Sequence, residues 1–382
     1  MSGGKFESTA TRCLVLVICT IVSWLIFDLI TDSVFLTPRN LSNLSVQISM
    51  TALVAVALTG LLVAREIDLS VGSLFALITV ISVLLQVYLG FGPYTAVAVC
   101  LVLGSVIGLW QGAMSSFLRV PSFIVTLAGF SYLQGLAYLV TGNEIYAGTS
   151  PEFRAIANGT IPSAWVLPIS LALLAAFLFY QWRRSDPPIR FDGKFSARDG
   201  VTLLRTVPLI GLALMAVWAY QSYRGIPIPI LIVGLWALLF GFAARHTAFG
   251  RHVFAIGGNP EAARRAGINL QRVVLILFAV TGATAAMAGI IQAARLDSGP
   301  PNVGVFLALD GISAAVIGGA SLFGGIGGVR GSLAGALLLG SIQNGLGLMG
   351  LSTNIQTIAS GLILLTVVSI DAIVRRARST DV

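Results

Sequence analysis

Three ionisable side chains interrupt an otherwise apolar stretch at Arg65, Glu66 and Asp68, and Ser70 follows directly. An ionisable group at the centre of a bilayer costs about 2.5–3.5 kcal/mol on insertion scales, so such groups normally face protein or water. Two interpretations of this segment are open from the sequence. Either the carboxylates line a path for a solute, or they cap a helix at the membrane surface.

Further polar side chains lie inside apolar stretches at Asp310, Gln343 and Asn344. Amide groups offer both donors and acceptors, which suits the hydroxyls of a sugar. A single interhelical hydrogen bond would explain each of these side chains equally well. They are therefore candidates for contact with a transported solute, and the structural alternative stays open.

The residue sets needed for catalysis or cofactor binding are not found in the sequence. There is no G-x-x-x-x-G-K-[ST] sequence, so the chain is not expected to bind ATP through a P-loop. Cys13, Cys19 and Cys100 form no CxxC pair and predict neither a metal site nor a disulfide. No nucleophile–base set stands out around His246 and His252. The sequence predicts neither an enzyme nor a metal or cofactor site in this chain.

A glycine-rich run covers residues 316–335. It lacks the G-x-G-x-x-G spacing and follows no predicted strand, which argues against a nucleotide cradle. Gly327, Gly331 and Gly335 have the small-xxx-small spacing that lets membrane helices pack closely. The alternative is a broken helix lining a transport path. With the interruption at 64–73, such a break would mark corresponding points of two internal repeats.

A short capped helix is predicted in the polar segment 259–267. Its residues carry an N-cap, a first-position proline, an acidic first turn, a basic last turn and a terminal glycine. In order, these and the small residue between them are Asn259, Pro260, Glu261, Ala262, Arg264, Arg265 and Gly267. A helix of about seven residues is not stable alone in water. Docking into a partner and an ordinary capped loop both remain open.

The elements that position these residues are predicted to be membrane helices. Only 10% of residues are charged and 56% are apolar, whereas soluble domains carry about 25% charged residues. Apolar stretches near the length of a membrane span recur twelve times. They are 13–31, 44–64, 70–89, 93–118, 122–140, 162–182, 201–222, 226–244, 273–294, 305–320, 329–350 and 354–374. Because 305–320 is short and 65–70 is charged, we predict an all-α polytopic bundle of ten to twelve spans with broken helices.

The distribution of Lys and Arg predicts the orientation. If the N-terminus is inside and the sides alternate, 19 of the 23 basic residues lie on the cytoplasmic side and 4 outside. Both termini are therefore expected in the cytoplasm, and the net charge of +8 does not indicate nucleic-acid binding. The first stretch is expected to be an anchor, because it exceeds a signal-peptide core and no A-x-A site follows it. The segments between stretches are too short for a second domain, so residues 1–382 form one domain with a cytoplasmic loop at 246–272.

Four motifs resemble those of a known family. EIDLSVGS at 66–73, VPSFIVTLAG at 120–129, FGRHVFAIGGNPEAARRAGIN at 249–269 and the glycine-rich run at 318–335 resemble the permeases of bacterial ABC importers for monosaccharides, in the ribose/xylose group. The resemblance covers nearly the whole chain. It is closest to D-xylose permeases at RNLSNL (39–44), YRGIPIP (223–229) and the extra loop at 183–200. Arg65 and Arg330 depart from it, because related sequences often have small or apolar residues there, and close packing at both points is in doubt.

The resemblance implies a set of partners. Two permease copies would form the path, a periplasmic sugar-binding protein would deliver the sugar, and a cytoplasmic ATPase, commonly with two fused ATPase domains, would hydrolyse ATP. The helix at 259–267 would be the coupling helix that this ATPase grips. The side chains expected near the path are Glu66, Asp68, Ser70, Phe123, Thr126, Asp310, Gln343 and Asn344.

The predicted function is therefore pentose import, most simply of D-xylose, through a permease in the bacterial inner membrane. Sister permeases for ribose and other monosaccharides share the main motifs, so the sugar stays open. The rival from another class is an ion-coupled secondary carrier that uses Glu66, Asp68 or Asp310. A gated channel and a scaffolding or signalling membrane protein are weaker alternatives.

Overall fold

A computed structural model describes residues 3–142, 144–172, 175 and 197–379, and this part of the chain is predominantly helical. In chain order the helices are α1 (Gly3–Ile30), α2 (Pro38–Val63), α3 (Val71–Val87), α4 (Pro93–Ser116), α5 (Ser122–Thr141), α6 (Pro151–Asn158), α7 (Ser163–Ala172), α8 (Ala197–Ser222), α9 (Ile228–His246), α10 (Ala248–Gly258), α11 (Pro260–Arg265), α12 (Leu270–Leu296), α13 (Leu307–Ile317), α14 (Val329–Leu348) and α15 (Thr353–Ser379).

Every predicted apolar stretch falls on one of these helices. The stretch 162–182 continues beyond α7 into residues that the structure does not describe. Most of the loop predicted at 183–200 also lies outside the described residues. Five described helices are long and apolar enough to cross a membrane, namely α2, α4, α5, α9 and α12. With 11 residues, α13 covers about 17 Å of a hydrocarbon core about 30 Å thick, so it does not cross alone. The architecture is that of a polytopic membrane bundle.

Two ends of the bundle are distinguished by what they carry. Helix α12 begins just after α11 and ends just before the strand β4 (Ser298–Gly299). Its 27 residues separate these features by about 40 Å. We call the end with α10 and α11 the loop end. The opposite, strand end holds two antiparallel pairs, β1 (Tyr146–Ala147) with β4, and β2 (Thr160–Ile161) with β3 (Ile226–Pro227). These two-residue strands are the small departure from the predicted all-α class.

Helices α2 and α12 lie at the centre of the bundle, and glycines let α12 cross α4 at close range. Most of α2 is buried inside the protein. Where α4 meets α12, a Cβ on Gly108 would collide with the Phe278 carbonyl, and one on Gly282 would collide with the Gly104 carbonyl. Glycine lets the two backbones touch, which is how membrane helices gain packing energy without a hydrophobic drive between them.

Two non-helical segments, which we call the breaks, meet at the loop end. The first lies between α2 and α3, at 64–70, and the second between α13 and α14, at 318–328. They are joined by a hydrogen bond of 2.9 Å from the Gly325 amide to the Val63 carbonyl. Helices α13 and α14 pack through the predicted small residues, since Gly331 contacts the Gly318 backbone and Gly335 contacts that of Ala314. The glycine-rich run is thus both a helix break and a close-packing surface.

The segment between β4 and α13 enters the bundle. Gly299 lies against Val80, and Gly304 lies beside Phe75 and Gly72, so the segment follows α3 from its middle toward its start. Pro301 is buried, and its carbonyl accepts a hydrogen bond of 2.6 Å from Gln134 Nε2. Irregular backbone at membrane depth requires such internal partners. The prolines and glycines of this segment allow its non-helical path along α3.

Candidate functional site

Helix α11 has the capped geometry that its sequence predicts. The Asn259 side chain accepts hydrogen bonds from the amides of Glu261 and Ala262 at 3.0 and 3.1 Å. At the other end Gly267 adopts φ +82°, and its amide and that of Ile268 close the helix onto Arg264 and Ala263. This is a Schellman ending. The N-cap and glycine predictions are both confirmed.

One face of α11 is held by the protein and the other is free. Ala263 is buried, whereas Glu261, Ala262, Arg264 and Arg265 are all exposed. Arg265 pairs with Glu261 at 2.8 Å, but both side chains are more than 70% exposed, so this ion pair contributes little stability. The helix therefore presents one small side chain and side chains of both charges outward from the loop end.

A buried polar cluster lies at the end of the first break. Asp68 is 2% exposed, and its Oδ1 accepts from the Ser70 amide at 2.8 Å. The Ser70 hydroxyl lies 2.6 Å from Asp68 Oδ1 and 3.0 Å from Gln111 Oε1. Gly129 makes room for this arrangement, because a Cβ there would press on both Gln111 and Ser70. We call Asp68, Ser70 and Gln111 the break cluster.

Helix α5 closes one side of the break. The Thr126 hydroxyl is hydrogen-bonded to the Ile67 carbonyl at 3.2 Å, and the Ser122 hydroxyl accepts from the Ile67 amide at 3.2 Å. Glu66, which precedes Ile67 in the break, is half-buried. Phe123 is 48% exposed and takes no part in these hydrogen bonds through its side chain. Of the predicted path residues on these elements, Phe123 alone is not brought to the break.

The second predicted set divides between two sides of α14. Gln343 Nε2 donates to Asp310 Oδ2 at 3.2 Å and to Ser360 Oγ at 3.1 Å, which links α13, α14 and α15. Asn344 instead accepts from Asn40 Nδ2 at 3.0 Å and donates to Gln47, both on α2. Among described residues, no hydrogen bond joins either set to the break cluster. Asn344 therefore has the interhelical role that the sequence left open.

Sequence reasoning did not place some of the partners that complete these clusters. Asn40, Gln47 and Ser360 were not singled out. Gln111 does carry a signal in the sequence, because an amide inside an apolar stretch needs a hydrogen-bond partner. No group of three potential metal ligands occurs among the residues that the structure describes.

The family is decided by a match over most of the chain. Residues 40–368 match the family model described as branched-chain amino acid transport system / permease component. The chain belongs to this permease family. It is therefore an integral membrane protein and a transport component rather than an enzyme.

Characterised relatives of the permease align over almost its full length. It is 37% identical to the xylose transport system permease protein XylH of Escherichia coli strain K12, over 98% of this chain and 96% of the relative. The XylH protein of Haemophilus influenzae is 36% identical over 96% and 98%. The ribose import permease protein RbsC of Escherichia coli strain K12 is 32% identical over 88% and 87%. No solved structure matches the chain.

At the strand end of the permease, Asp297 ties two loops together. It ends α12 with φ +52° and accepts from the Thr149 hydroxyl at 2.6 Å and the Thr149 amide at 2.8 Å. Arg154 approaches its other oxygen at 3.3 Å. The Thr149 hydrogen bonds, with help from the Arg154 charge, hold the pKa of Asp297 below its ordinary value.

Asp297→Asn should lower the stability of the permease by about 1 kcal/mol at pH 7, because it removes charge-assisted hydrogen bonds at a partly exposed site. A carboxylate whose pKa is depressed on folding stabilises the protein above its unfolded pKa and loses that contribution as pH falls. The stability difference between the two proteins should therefore shrink below about pH 4. Melting in detergent across this range measures it, and a difference independent of pH would contradict the assignment.

Proposed function

We propose that this permease is the membrane subunit of an ATP-driven importer for a pentose, with D-xylose as the sugar. The observation that carries the proposal is the similarity to two xylose permeases across 96–98% of the chain. The ribose permease is less similar and aligns over a smaller share. The sugar is thus inferred from relatives of the same length, and the polar side chains inside the bundle suit a hydroxyl-rich solute.

Helix α11, within the loop at 246–272, is the proposed contact for a cytoplasmic ATPase with two fused ATPase domains. Its capped ends make it rigid, and its exposed face offers Arg264, Arg265 and Glu261 to a groove. A capped helix of six residues with one buried side chain gains most from a partner that covers the rest. ATP would bind to that partner, and this chain would hold no cofactor.

The remaining assembly follows from the same class of importer. Two permease copies would form the path, and a periplasmic sugar-binding protein would dock at the strand end. The permease would lie in the bacterial inner membrane as one domain, with both termini and the loop end in the cytoplasm. The excess of Lys and Arg that the sequence places on that side supports this orientation.

ATP binding would draw the two ATPase domains together and carry the two α11 helices with them. The break cluster lies beside the break at 64–70, close to the loop end. We propose that separation of its residues opens the inner gate. The path through the permease needs only a low affinity for the sugar, because the binding protein supplies tight and selective binding.

An ion-coupled carrier is the second candidate, and one observation favours it. Asp68 is fully buried and Asp310 is partly buried, and neither is paired with a cation among described residues. Such carboxylates are typical proton or sodium sites in membrane carriers. Their hydrogen bonds to Ser70 and Gln343 give each a structural role that needs no ion.

Competition for uptake tests the sugar. Proteoliposomes holding the permease, its ATPase and its binding protein are given labelled xylose with a tenfold excess of unlabelled xylose, ribose or glucose. We expect xylose to suppress uptake most. Stronger suppression by ribose would move the assignment to the ribose permeases.

A further inference from the structure

Arg65 occupies a backbone conformation that normally selects glycine. It follows the end of α2 with φ +67°, in the left-handed region. Its amide donates to Leu62 and that of Glu66 donates to Leu61, so Arg65 stands at the glycine position of a Schellman ending. A residue with a Cβ is less favourable there than glycine. The Arg65 side chain makes its hydrogen bonds to a distant part of the chain.

The Arg65 side chain donates hydrogen bonds to the C-terminal end of α10. Its Nε donates to the Gly257 carbonyl at 2.8 Å, and its Nη2 donates to the Gly258 carbonyl at 2.9 Å. These are the last two residues of α10, where carbonyls lack partners inside the helix and the helix dipole is negative. The guanidinium therefore caps α10 from across the fold. Asn259, the next residue, is the N-cap of α11.

Three backbone segments meet at this point. Gly257 lies so close to the Val63 carbonyl and the Gly325 amide that a Cβ on it would collide with both. The Gly325 amide donates to the Val63 carbonyl at 2.9 Å, and Gly324 packs directly on the Arg65 side chain. We call residues 63–65, 257–258 and 324–325 the joint. Close packing, which the resemblance put in doubt at Arg65, is present.

The joint connects α11 to both breaks between helices. On one side Asn259 and α11 follow directly, and on another the break at 64–70 leads within three residues to Asp68. The third side is the glycine-rich break between α13 and α14. A displacement of α11 therefore reaches the break cluster through backbone contacts and two charge-assisted hydrogen bonds, with no long flexible segment between them.

We propose that Arg65 is the positioning residue that fastens the coupling loop to the two breaks, so that movement of α11 opens or closes the buried polar cluster behind it. The proposal rests on the proposed function for its use in transport. The mechanical connection itself is a property of this chain alone.

Arg65→Gly is the sharpest test, because glycine suits the left-handed backbone and removes only the side-chain grip. Arg119→Gly is the matched control. Arg119, like Arg65, is exposed and adopts a left-handed conformation, at φ +58°, but its side chain makes no hydrogen bond to any described residue. Arg65→Lys keeps the charge but cannot reach both carbonyls in the same fork, so an intermediate effect is expected.

Hydrogen exchange on the permease in nanodiscs measures the joint without requiring transport. In Arg65→Gly we expect exchange to rise about tenfold in peptides covering 255–267 and 321–328, while Arg119→Gly leaves both unchanged. Exchange of the Gly325 amide reports on the joint directly, because this amide donates to the Val63 carbonyl. A change confined to peptides around residue 65 would overturn the proposal, because the three segments would then be independent.

Coupling in the full importer gives the second readout. The sugar imported per ATP hydrolysed should fall at least fivefold in Arg65→Gly, while the affinity for the ATPase stays within twofold of the unaltered protein. An unchanged ratio would overturn the role of Arg65 in transport. If the unaltered protein imports sugar without ATP, the proposed function fails instead, and the exchange experiment still decides whether the joint exists.

Discussion

Arg264→Glu is expected to weaken binding of the ATPase to the permease at least tenfold and to abolish most ATP-dependent uptake. Arg264 is exposed in the last turn of α11 and has no carboxylate partner among described residues. A groove that accepts a basic helix end is expected to be acidic, and like charges facing each other at an interface cost several kcal/mol. Titration of the labelled ATPase onto permease nanodiscs measures the affinity.

Arg272→Glu is the matched control for this experiment. It makes the same change of charge on the same loop, outside α11. Asn269 caps α12 and accepts from the Arg272 amide at 3.0 Å, so glutamate at position 272 would complete a capping box rather than disturb the fold. Its affinity should stay within threefold. Equal losses in the two variants would mean that general charge, and not α11, recruits the ATPase.

The pair Asp68→Ala and Asp68→Asn is expected to separate the importer from the ion-coupled carrier. Alanine leaves the Ser70 amide and hydroxyl without their acceptor in a buried site, which costs about 1–3 kcal/mol. If Asp68 holds the proposed inner gate closed, a loss of this size shifts the equilibrium between closed and open gate about tenfold or more, and ATP-driven uptake should fall by a similar factor. Asparagine retains an oxygen that can accept both hydrogen bonds, so it should keep at least half of the uptake.

A carrier that binds a proton or sodium at Asp68 behaves differently. Asparagine can neither lose a proton nor bring a negative charge, so Asp68→Asn would be as inactive as Asp68→Ala. The unaltered protein and both variants are compared in the same vesicles, with ATP and separately with an imposed ion gradient. Activity that follows the gradient and disappears in Asp68→Asn would contradict the importer account.

The helices and the capped loop could be predicted from the sequence because their signals are local. Apolar stretches of span length fix where α2, α4 and α12 lie, and each coincides with a helix. The ends of α11 follow from Asn259 and Gly267, whose side-chain and backbone preferences need no tertiary context. The short length of 305–320 likewise made it a doubtful span, and α13 has 11 residues.

The connections between distant segments could not be predicted, since they depend on packing. Nothing near Arg65 in sequence indicates that it would cap α10, whose Gly257 lies 192 residues further along. The path of the β4–α13 segment along α3 depends on Gln134 reaching the Pro301 carbonyl. The number of spans and their orientation stay predictions, because hydrophobic length and charge bias define them only relative to a bilayer.

The central claim is tested most directly by xylose uptake into proteoliposomes that contain the permease, with its ATPase and its binding protein added. The account predicts uptake that requires ATP and both partners, and that stops when any one of the three is omitted. Uptake by the permease alone, driven by a proton or sodium gradient, would contradict it and would make Asp68 and Asp310 the first residues to examine as ion sites.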